Sequence, residues 1–236
     1  MPTLDFKGKS FVYTHHLSVP FRELVIDAKK SLPAKGEKPA LDDNLIIHGD
    51  NLHALKALLP VYAGKVDYVA IDPPYNIGGD WCYNDSVNAP LMRQWLAKSA
   101  NPVEKDDLER HDKWLCMMWP RLKLIKELMK PDAIIAVTID DNELFHLGRL
   151  MDDIFGEDHC LACAPWLAEP SGGKEKTGLR GGHEYVLIYH NGSESSVTNE
   201  IRDTGELSEQ RIACFHRAVP PSGHERRFIE VDHKIG

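Results

Sequence analysis

The sequence predicts an α/β fold in which helices cover both faces of a mostly parallel sheet. Short, continuously apolar segments alternate with segments of helical periodicity between residues 44 and 192. The first strand, helix and second strand lie between Leu45 and Ile71, a spacing typical of a βαβ unit with parallel strands. Because ligands bind at the carboxyl ends of the strands in such sheets, we expect function at that edge.

The βαβ unit supplies two such strand ends. Leu45–His48 is the first predicted strand and is followed by Asp50, which with Asn51 is placed to cap a helix that has leucines at helical spacing. Val66–Ile71 is the second predicted strand, and Asp72-Pro73-Pro74-Tyr75 follows it directly. The side chains after both strands are therefore candidates for a ligand site.

The later elements continue the alternation after a long irregular stretch over residues 76–110, and a loop of that length is usually functional or mobile. Asp140 or Asp141 is expected to cap the last helix, and Gly156 to end it. A glycine-rich segment, residues 171–182, separates the last two strands. The predicted elements are a helix over 113–130, a strand over 133–139, a helix over 142–155, and strands over 160–166 and 184–189.

The amino-acid composition limits the classes of protein to which the chain can belong. Among the 236 residues, no apolar run approaches the roughly 18 to 20 residues that span a bilayer. The first ten residues lack the apolar core of a signal peptide, so we expect a cytoplasmic protein without a membrane partner. Five cysteines, an odd number, argue against a disulfide framework, and the single CxxC, Cys160 and Cys163, is interpreted as two small residues on a buried strand. No residue is assigned to a metal.

The net charge of −8 argues against a nucleic-acid partner, since phosphate contacts favour a basic surface. The charge is uneven, however. Residues 171–236 hold 9 Lys and Arg against 10 Asp and Glu, a net −1, which leaves −7 for residues 1–170. Local basic patches are compatible with this distribution, as are ordinary solvated surface charges.

The Asp72–Tyr75 segment carries the most specific chemistry. Two successive prolines stiffen the backbone after the strand and bias Asp72 towards an extended shape. Carbonyl oxygens and the Asp72 carboxylate are then expected to point outwards beside the flat ring of Tyr75. Acceptors next to an aromatic ring suit a planar base that bears an amino group. The alternative is a rigid turn with a surface tyrosine.

The chain resembles the amino-methylating DNA methyltransferases of the β group, above all the modification subunits of type III restriction systems. The resemblance covers residues 44 to 192. The stretches that carry it are Gly49-Asp50-Asn51-Leu52, Ile71-Asp72-Pro73-Pro74-Tyr75-Asn76-Ile77-Gly78, Tyr83-Asn84-Asp85, Trp114-Leu115 with Pro120-Arg121-Leu122, Ile139-Asp140-Asp141-Asn142-Glu143 and His183-Glu184-Tyr185. Met118, between Leu115 and Pro120, also matches the family pattern. Thr138, directly before Ile139, stands where the family has serine.

The resemblance implies a seven-stranded Rossmann-like fold that uses S-adenosylmethionine to methylate the N6 amine of adenine in double-stranded DNA. Asp72, Pro73, Pro74 and Tyr75 are the implied catalytic residues, and aspartate at the first of these positions favours adenine over cytosine. The adenine must be flipped out of the duplex to be reached. Asp50 and Asp72 are the candidate cofactor-binding residues, with helix capping as the alternative role of Asp50. Structural roles are favoured for Asp140, Asp141 and His183.

The family's glycine-rich cofactor loop is not found, so we expect the methyltransferase fold to be incomplete. The expected segments are an N-terminal arm (1–43), the target-base half of a catalytic core (44–192) and the start of a target-recognition or linking region (193–236). A restriction subunit and a second copy of the chain are left open as partners. Two alternatives to the DNA methyltransferase are a non-catalytic DNA-binding remnant and methylation of another planar amine or amide.

Overall fold

A computed structural model describes residues 3–33, 36–42, 44–77, 110–168 and 182–192, and the backbone of 229–232. The Tyr83-Asn84-Asp85 stretch, most of the predicted loop 76–110 and nearly all of the glycine-rich segment 171–182 lie outside the described residues. The chain divides into two compact units. One comprises Met1–Val25, His48–Ser195 and Val231–Gly236, and the other comprises Ile26–Ile47 and Ser196–Glu230.

The described residues form both helices and strands, and the longest helix and the longest strand follow each other directly. In chain order the elements are α1 (Lys9–Val12), α2 (His15–Ser18), β1 (Leu45–His48), α3 (Asn51–Tyr62), β2 (Val66–Ile71), α4 (Arg110–Leu128), β3 (Met129–Ile139), α5 (Leu144–Phe155), a 3-10 turn (Glu157–His159), β4 (Cys160–Leu167), β5 (His183–His190) and β6 (Ile229–Asp232).

A four-stranded sheet with the strand order β2-β3-β5-β4 forms the centre of the first unit. β2 is parallel to β3, whereas β5 is antiparallel to both β3 and β4. β2, β3 and β4 therefore share one direction, and β5 is inserted between two of them in the opposite direction. The predicted α/β class is confirmed, but the described sheet is mixed rather than mostly parallel. An apolar run does not encode strand direction, and consecutive strands that pair antiparallel need no crossover helix.

The predicted βαβ unit is wrong in its first strand. β1 pairs with β6 in a separate two-stranded sheet and not with β2. The burial of β1 alternates, and the side chain of Ile46 is 79% exposed, so this apolar run is not covered on both faces. Its partner comes from about 180 residues further along the chain, which local periodicity cannot indicate.

Helix α4 is the buried centre of the first unit. Trp114, Cys116, Leu122 and Leu124 are fully buried, and α1, α2, α3 and α5 all contact this helix. A helix that is buried on every side needs neighbours all round rather than one apolar stripe. The segment before residue 25 supplies part of this cover, because α1 and α2 pack on α4.

The boundary between helix α4 and strand β3 differs from the prediction, which ended the helix at residue 130 and began the strand at residue 133. Helix α4 ends at Leu128, and Pro131 lies inside β3, where the pairing with β2 is irregular. A bulge leaves a residue outside the ladder and so tolerates the missing N–H of proline. Cys160 and Cys163 are free thiols, and both are exposed. The expected burial of their strand is therefore wrong, because β4 lies at the edge of the sheet. Gly156 ends α5 as predicted, with a φ of 109°.

None of the helices in the described part of the chain combines the length and the apolarity that crossing a membrane would require.

Candidate active site

The Asp72 carboxylate lies where two parallel strands end together. Ile71 of β2 pairs with Val137 of β3, and the next residues along each strand are Asp72 and Thr138. The Thr138 hydroxyl donates a hydrogen bond to Oδ1 of Asp72 and lies 3.4 Å from the carbonyl oxygen of Ile71. Asp72 remains exposed. The neighbouring strand therefore orients a carboxylate that solvent or a ligand can still reach.

The two prolines differ in what their surroundings leave available. Pro73 is buried and Pro74 is half-buried. The carbonyl oxygen of Pro74 accepts a 2.6 Å hydrogen bond from Nε1 of Trp114, a fully buried residue of α4. The expectation that the carbonyl oxygens of both prolines point outwards is therefore wrong for Pro74. A buried indole N–H requires an acceptor, and this carbonyl supplies it.

The ring of Tyr75 is anchored at both ends. It packs against the hydrophobic core, and its hydroxyl donates a 3.1 Å hydrogen bond to Oε2 of Glu184 on β5. The same oxygen accepts a 3.3 Å hydrogen bond from Nε1 of Trp166. Burial raises the pKa of Tyr75 above its ordinary value of 10.0; Asp72 and Glu184 act in the same direction, while Thr138 opposes them. Tyr75 is therefore a neutral hydrogen-bond donor near neutral pH.

Asn76 ends the turn in a left-handed backbone conformation, with a φ of 57°. Asparagine tolerates this conformation better than most residues. The side chain is buried, and its Nδ2 donates hydrogen bonds to Oε1 of Glu143 and to the carbonyl oxygen of Arg110, the second at 3.3 Å. The turn that carries Asp72 to Tyr75 is thus tied to the starts of α4 and α5.

Glu143 is the centre of a cluster that the sequence did not indicate. It is fully buried, and its Oε1 lies 2.6 Å from Nδ1 of His111. Its Oε2 lies 3.0 Å from Nδ1 of His146. The two imidazole rings stack, with centroids 4.5 Å apart. The contact with the Glu143 carboxylate raises the pKa of His146 against the effect of burial.

Asp50 occupies the capping position that was one of its two expected roles. Its Oδ1 accepts a 3.0 Å hydrogen bond from the backbone N–H of His53, and Asp50 is the N-cap of α3. The alternative assignment of the cap to Asn51 is wrong by one residue, because Asn51 already has helical geometry. The Asp50 side chain is 45% exposed, so binding of a cofactor by this carboxylate stays a prediction.

The predicted cap of α5 is also shifted. The N-cap of α5 is Glu143, without a side-chain capping bond, whereas Asp140 accepts a 2.9 Å hydrogen bond from the N–H of Asn142 in the turn before the helix. Asp141 is exposed and lies 4.0 Å from Nε2 of His183. The structural role expected for His183 agrees with its 3.0 Å contact to the Tyr185 hydroxyl.

Sequence reasoning did not assign roles to the residues that hold the turn. Trp114, Thr138, Glu143 and Glu184 all lie in or beside the motifs that were recognised, yet each acts on a partner more than thirty positions away. Only the Glu-x-x-His spacing of Glu143 and His146 was visible as a local signal.

Comparisons with known proteins identify the family of the chain. A family model described as "DNA methylase" matches residues 66–220, well over half of the 236 residues. The chain is 34% identical over 199 residues to the type III restriction-modification enzyme EcoPI Mod subunit of Escherichia phage P1, which covers 79% of the chain and 30% of that relative. It is 30% identical over 208 residues to the EcoP15I Mod subunit of Escherichia coli, covering 83% of the chain and 31% of the relative.

Among solved structures, the PvuII DNA methyltransferase (cytosine-N4-specific) aligns with a TM-score of 0.40 and 13% identity, over 65% of this chain and 51% of that one. The chain spans less than a third of the length of the two Mod subunits. The α/β sheet with its helices and the match over residues 66–220 establish that the chain belongs to the DNA methylase family.

Proposed function

We propose that this chain forms the target-base half of a DNA methyltransferase that methylates the N6 amine of adenine. The observation that carries the proposal is the exposed Asp72 carboxylate, oriented by Thr138 at the carboxyl edge of the sheet and next to the ring of Tyr75. Type III Mod subunits are its relatives by sequence, which supports DNA as the substrate. A non-catalytic remnant is not favoured, since hydrogen bonds hold Asp72, Pro74 and Tyr75 of the turn in place.

Asp72 and the carbonyl oxygen of Pro73 would accept the two hydrogens of the adenine amino group. The lone pair of that nitrogen is normally delocalised into the ring, so the amine is a poor nucleophile. Hydrogen bonds to both hydrogens favour a more tetrahedral nitrogen whose lone pair is available. The protein contributes position and electrostatics rather than a covalent step.

Tyr75 would stack on the flipped base. Such stacking contributes about 1–3 kcal/mol per base. The hydrogen bond from its hydroxyl to Glu184 fixes the rotation of the ring, so the stacking surface exists before the base arrives. Flipping is required because a base inside a duplex cannot reach these groups.

S-adenosylmethionine, when bound, supplies an electrophilic methyl group. We propose Asp50 and Asp72 as its contacts, because both are exposed carboxylates and its adenine and methionine parts both carry amino groups that a carboxylate can accept from. Asp50 would accept from the adenine amine with its exposed carboxylate while it caps α3. We also propose a restriction subunit as a partner, on the names of the relatives.

The test is methyl transfer to unmethylated duplex DNA from radiolabelled S-adenosylmethionine, followed by nucleoside analysis. The chain is assayed by itself and within the longest reading frame that contains it. N6-methyldeoxyadenosine is the expected product in at least one of the two. Label in N4-methyldeoxycytidine would overturn the choice of base, and DNA binding without label in either preparation would support the remnant instead.

A further inference from the structure

The cluster of His111, Glu143 and His146 contains two buried polar atoms that make no hydrogen bond of ordinary geometry among the described residues. These atoms are Oε2 of Glu143 and Nδ1 of His146, and both are inaccessible to solvent. The two atoms lie 3.0 Å apart but are not aligned for a hydrogen bond. An unsatisfied buried carboxylate oxygen costs free energy, and an ion or water that satisfies it is one common explanation.

We propose that His111, Glu143 and His146 form a binding site for a divalent transition-metal ion of the zinc class. Their ligand atoms all lie within 4.8 Å of one another. Two imidazoles and one carboxylate are a ligand set that zinc uses, with a fourth position left to water. In a tetrahedral zinc site, neighbouring ligand atoms are about 3.3 Å apart, and the carboxylate oxygens of Glu143 lie 2.6 Å from Nδ1 of His111 and 3.0 Å from Nδ1 of His146.

The helical geometry supports this assignment. Glu143 and His146 are separated by three positions at the start of α5, which places both on one face of the helix. Glu-x-x-His pairs of this kind supply ligands in helical metal proteins. His111 enters from the first turn of α4, and its ring stacks on that of His146. Both rings therefore present Nδ1 to the same carboxylate.

Asn76 contacts Glu143 without being one of the proposed metal ligands. Its Nδ2 donates to Oε1 of Glu143 and so leaves Oε2 facing His146. A hydrogen bond of this kind orients a carboxylate ligand and tunes its affinity. Because Asn76 follows Tyr75 directly, an ion in the cluster would brace the turn that carries Asp72 to Tyr75. The site itself does not depend on the proposed methyl transfer.

Near the cluster, charges of both signs act on His146. The contact with Glu143 raises the pKa of His146 most, Asp112 raises it further, and burial and Arg110 lower it. The nearby charge is therefore mixed, and the fully buried Glu143 carboxylate is the group in direct contact with both imidazoles.

The test is Co²⁺ and Zn²⁺ titration of the 236-residue protein without an affinity tag, monitored by calorimetry and by the visible spectrum of bound Co²⁺. The exposed thiols of Cys160 and Cys163 could also hold metal, so the background carries Cys160→Ser and Cys163→Ser. About one ion per chain is expected, with a nitrogen and oxygen ligand spectrum and no thiolate charge-transfer band. Zinc should raise the melting temperature.

His146→Asn and Glu143→Gln should each weaken binding by about 100-fold or more, since loss of an outer-shell partner alone costs about 10–100-fold. Asn76→Ala should fall in that smaller range. The matched control is His53→Asn, which removes a histidine that pairs with the single carboxylate Asp50 and should leave affinity unchanged. The melting temperature without metal reports whether each variant folds. Absence of a nitrogen and oxygen spectrum, or equal affinity in His146→Asn and His53→Asn, would overturn the proposal.

Discussion

The indole N–H of Trp114 donates a 2.6 Å hydrogen bond to the carbonyl oxygen of Pro74. This bond joins the buried centre of α4 to the middle of the candidate base pocket. It removes one of the two proline carbonyls from the set of acceptors available to a ligand. It also makes the shape of the pocket depend on the packing of the core.

Trp114→Phe should therefore affect both stability and activity. The Pro74 carbonyl loses its donor, and the loss of one hydrogen bond costs about 0.5–1.5 kcal/mol in the free energy of unfolding, measured by urea denaturation. The matched control is Trp119→Phe, which removes a buried indole that donates to the carbonyl oxygen of Tyr13 at 3.2 Å. Both variants should lose similar stability, but only Trp114→Phe should reduce methyl transfer per folded molecule. Equal loss of transfer in the two would contradict the link to the pocket.

Asp72→Ala should strongly reduce methyl transfer without unfolding the protein. The side chain is exposed, so the free energy of unfolding should change by no more than about 0.5 kcal/mol. Methyl transfer should fall by about 100- to 1000-fold, the range seen when one preorganised electrostatic contact is removed. Asp141→Ala is the control, because this carboxylate is 70% exposed and follows the neighbouring strand. A fully active Asp72→Ala protein would show that the base pocket is misassigned.

Two variants of Tyr75 should separate the contribution of ring stacking from that of the hydroxyl group. Tyr75→Phe keeps the ring but loses the hydrogen bond to Glu184, so we expect a loss of about 1 kcal/mol in DNA binding or transfer. Tyr75→Ala removes the ring, and the loss should be about 1–3 kcal/mol larger. Glu184→Gln should resemble Tyr75→Phe. Equal kinetics for Tyr75→Phe and Tyr75→Ala would exclude a stacking role.

Protonation of His16 should lower the free energy of unfolding in mild acid. Burial first, and then the charges of Lys123, Lys56 and His15, lower its pKa from 6.5 to about 4, although the Glu127 carboxylate lies 3.8 Å away. The folded protein therefore binds this proton more weakly than the unfolded chain. The stability that neutral His16 allows is present above pH 6.5 and is lost as the pH falls towards 4, at about 1.4 kcal/mol per pH unit.

The measurement is the free energy of unfolding between pH 7 and pH 4 for wild type and His16→Gln. The difference between the two should shrink as the pH falls, because the variant has no imidazole to protonate. The matched control is His53→Asn, which changes a histidine that is only partly buried. A parallel pH dependence in wild type and His16→Gln would contradict the assignment.

Much of the candidate site is local in sequence and could be predicted from it. β2 was predicted at its observed bounds, and the Asp72–Tyr75 turn follows it because two prolines cannot continue a paired strand. The end of α5 at Gly156 was likewise predicted from one residue. These features depend on backbone preferences and periodicity within a few residues.

Only the tertiary structure decided which strands pair with each other and which distant residues form hydrogen bonds. β1 pairs with β6, and β5 inserts antiparallel between β3 and β4, because strand pairing brings together segments far apart in the chain. The same holds for the bonds that Thr138 and Glu184 make to the pocket turn. By itself the sequence determined the chemical groups of the turn and the family they resemble. Tertiary packing determined which groups face a ligand, since hydrogen bonds between distant residues depend on sheet order and not on local pattern.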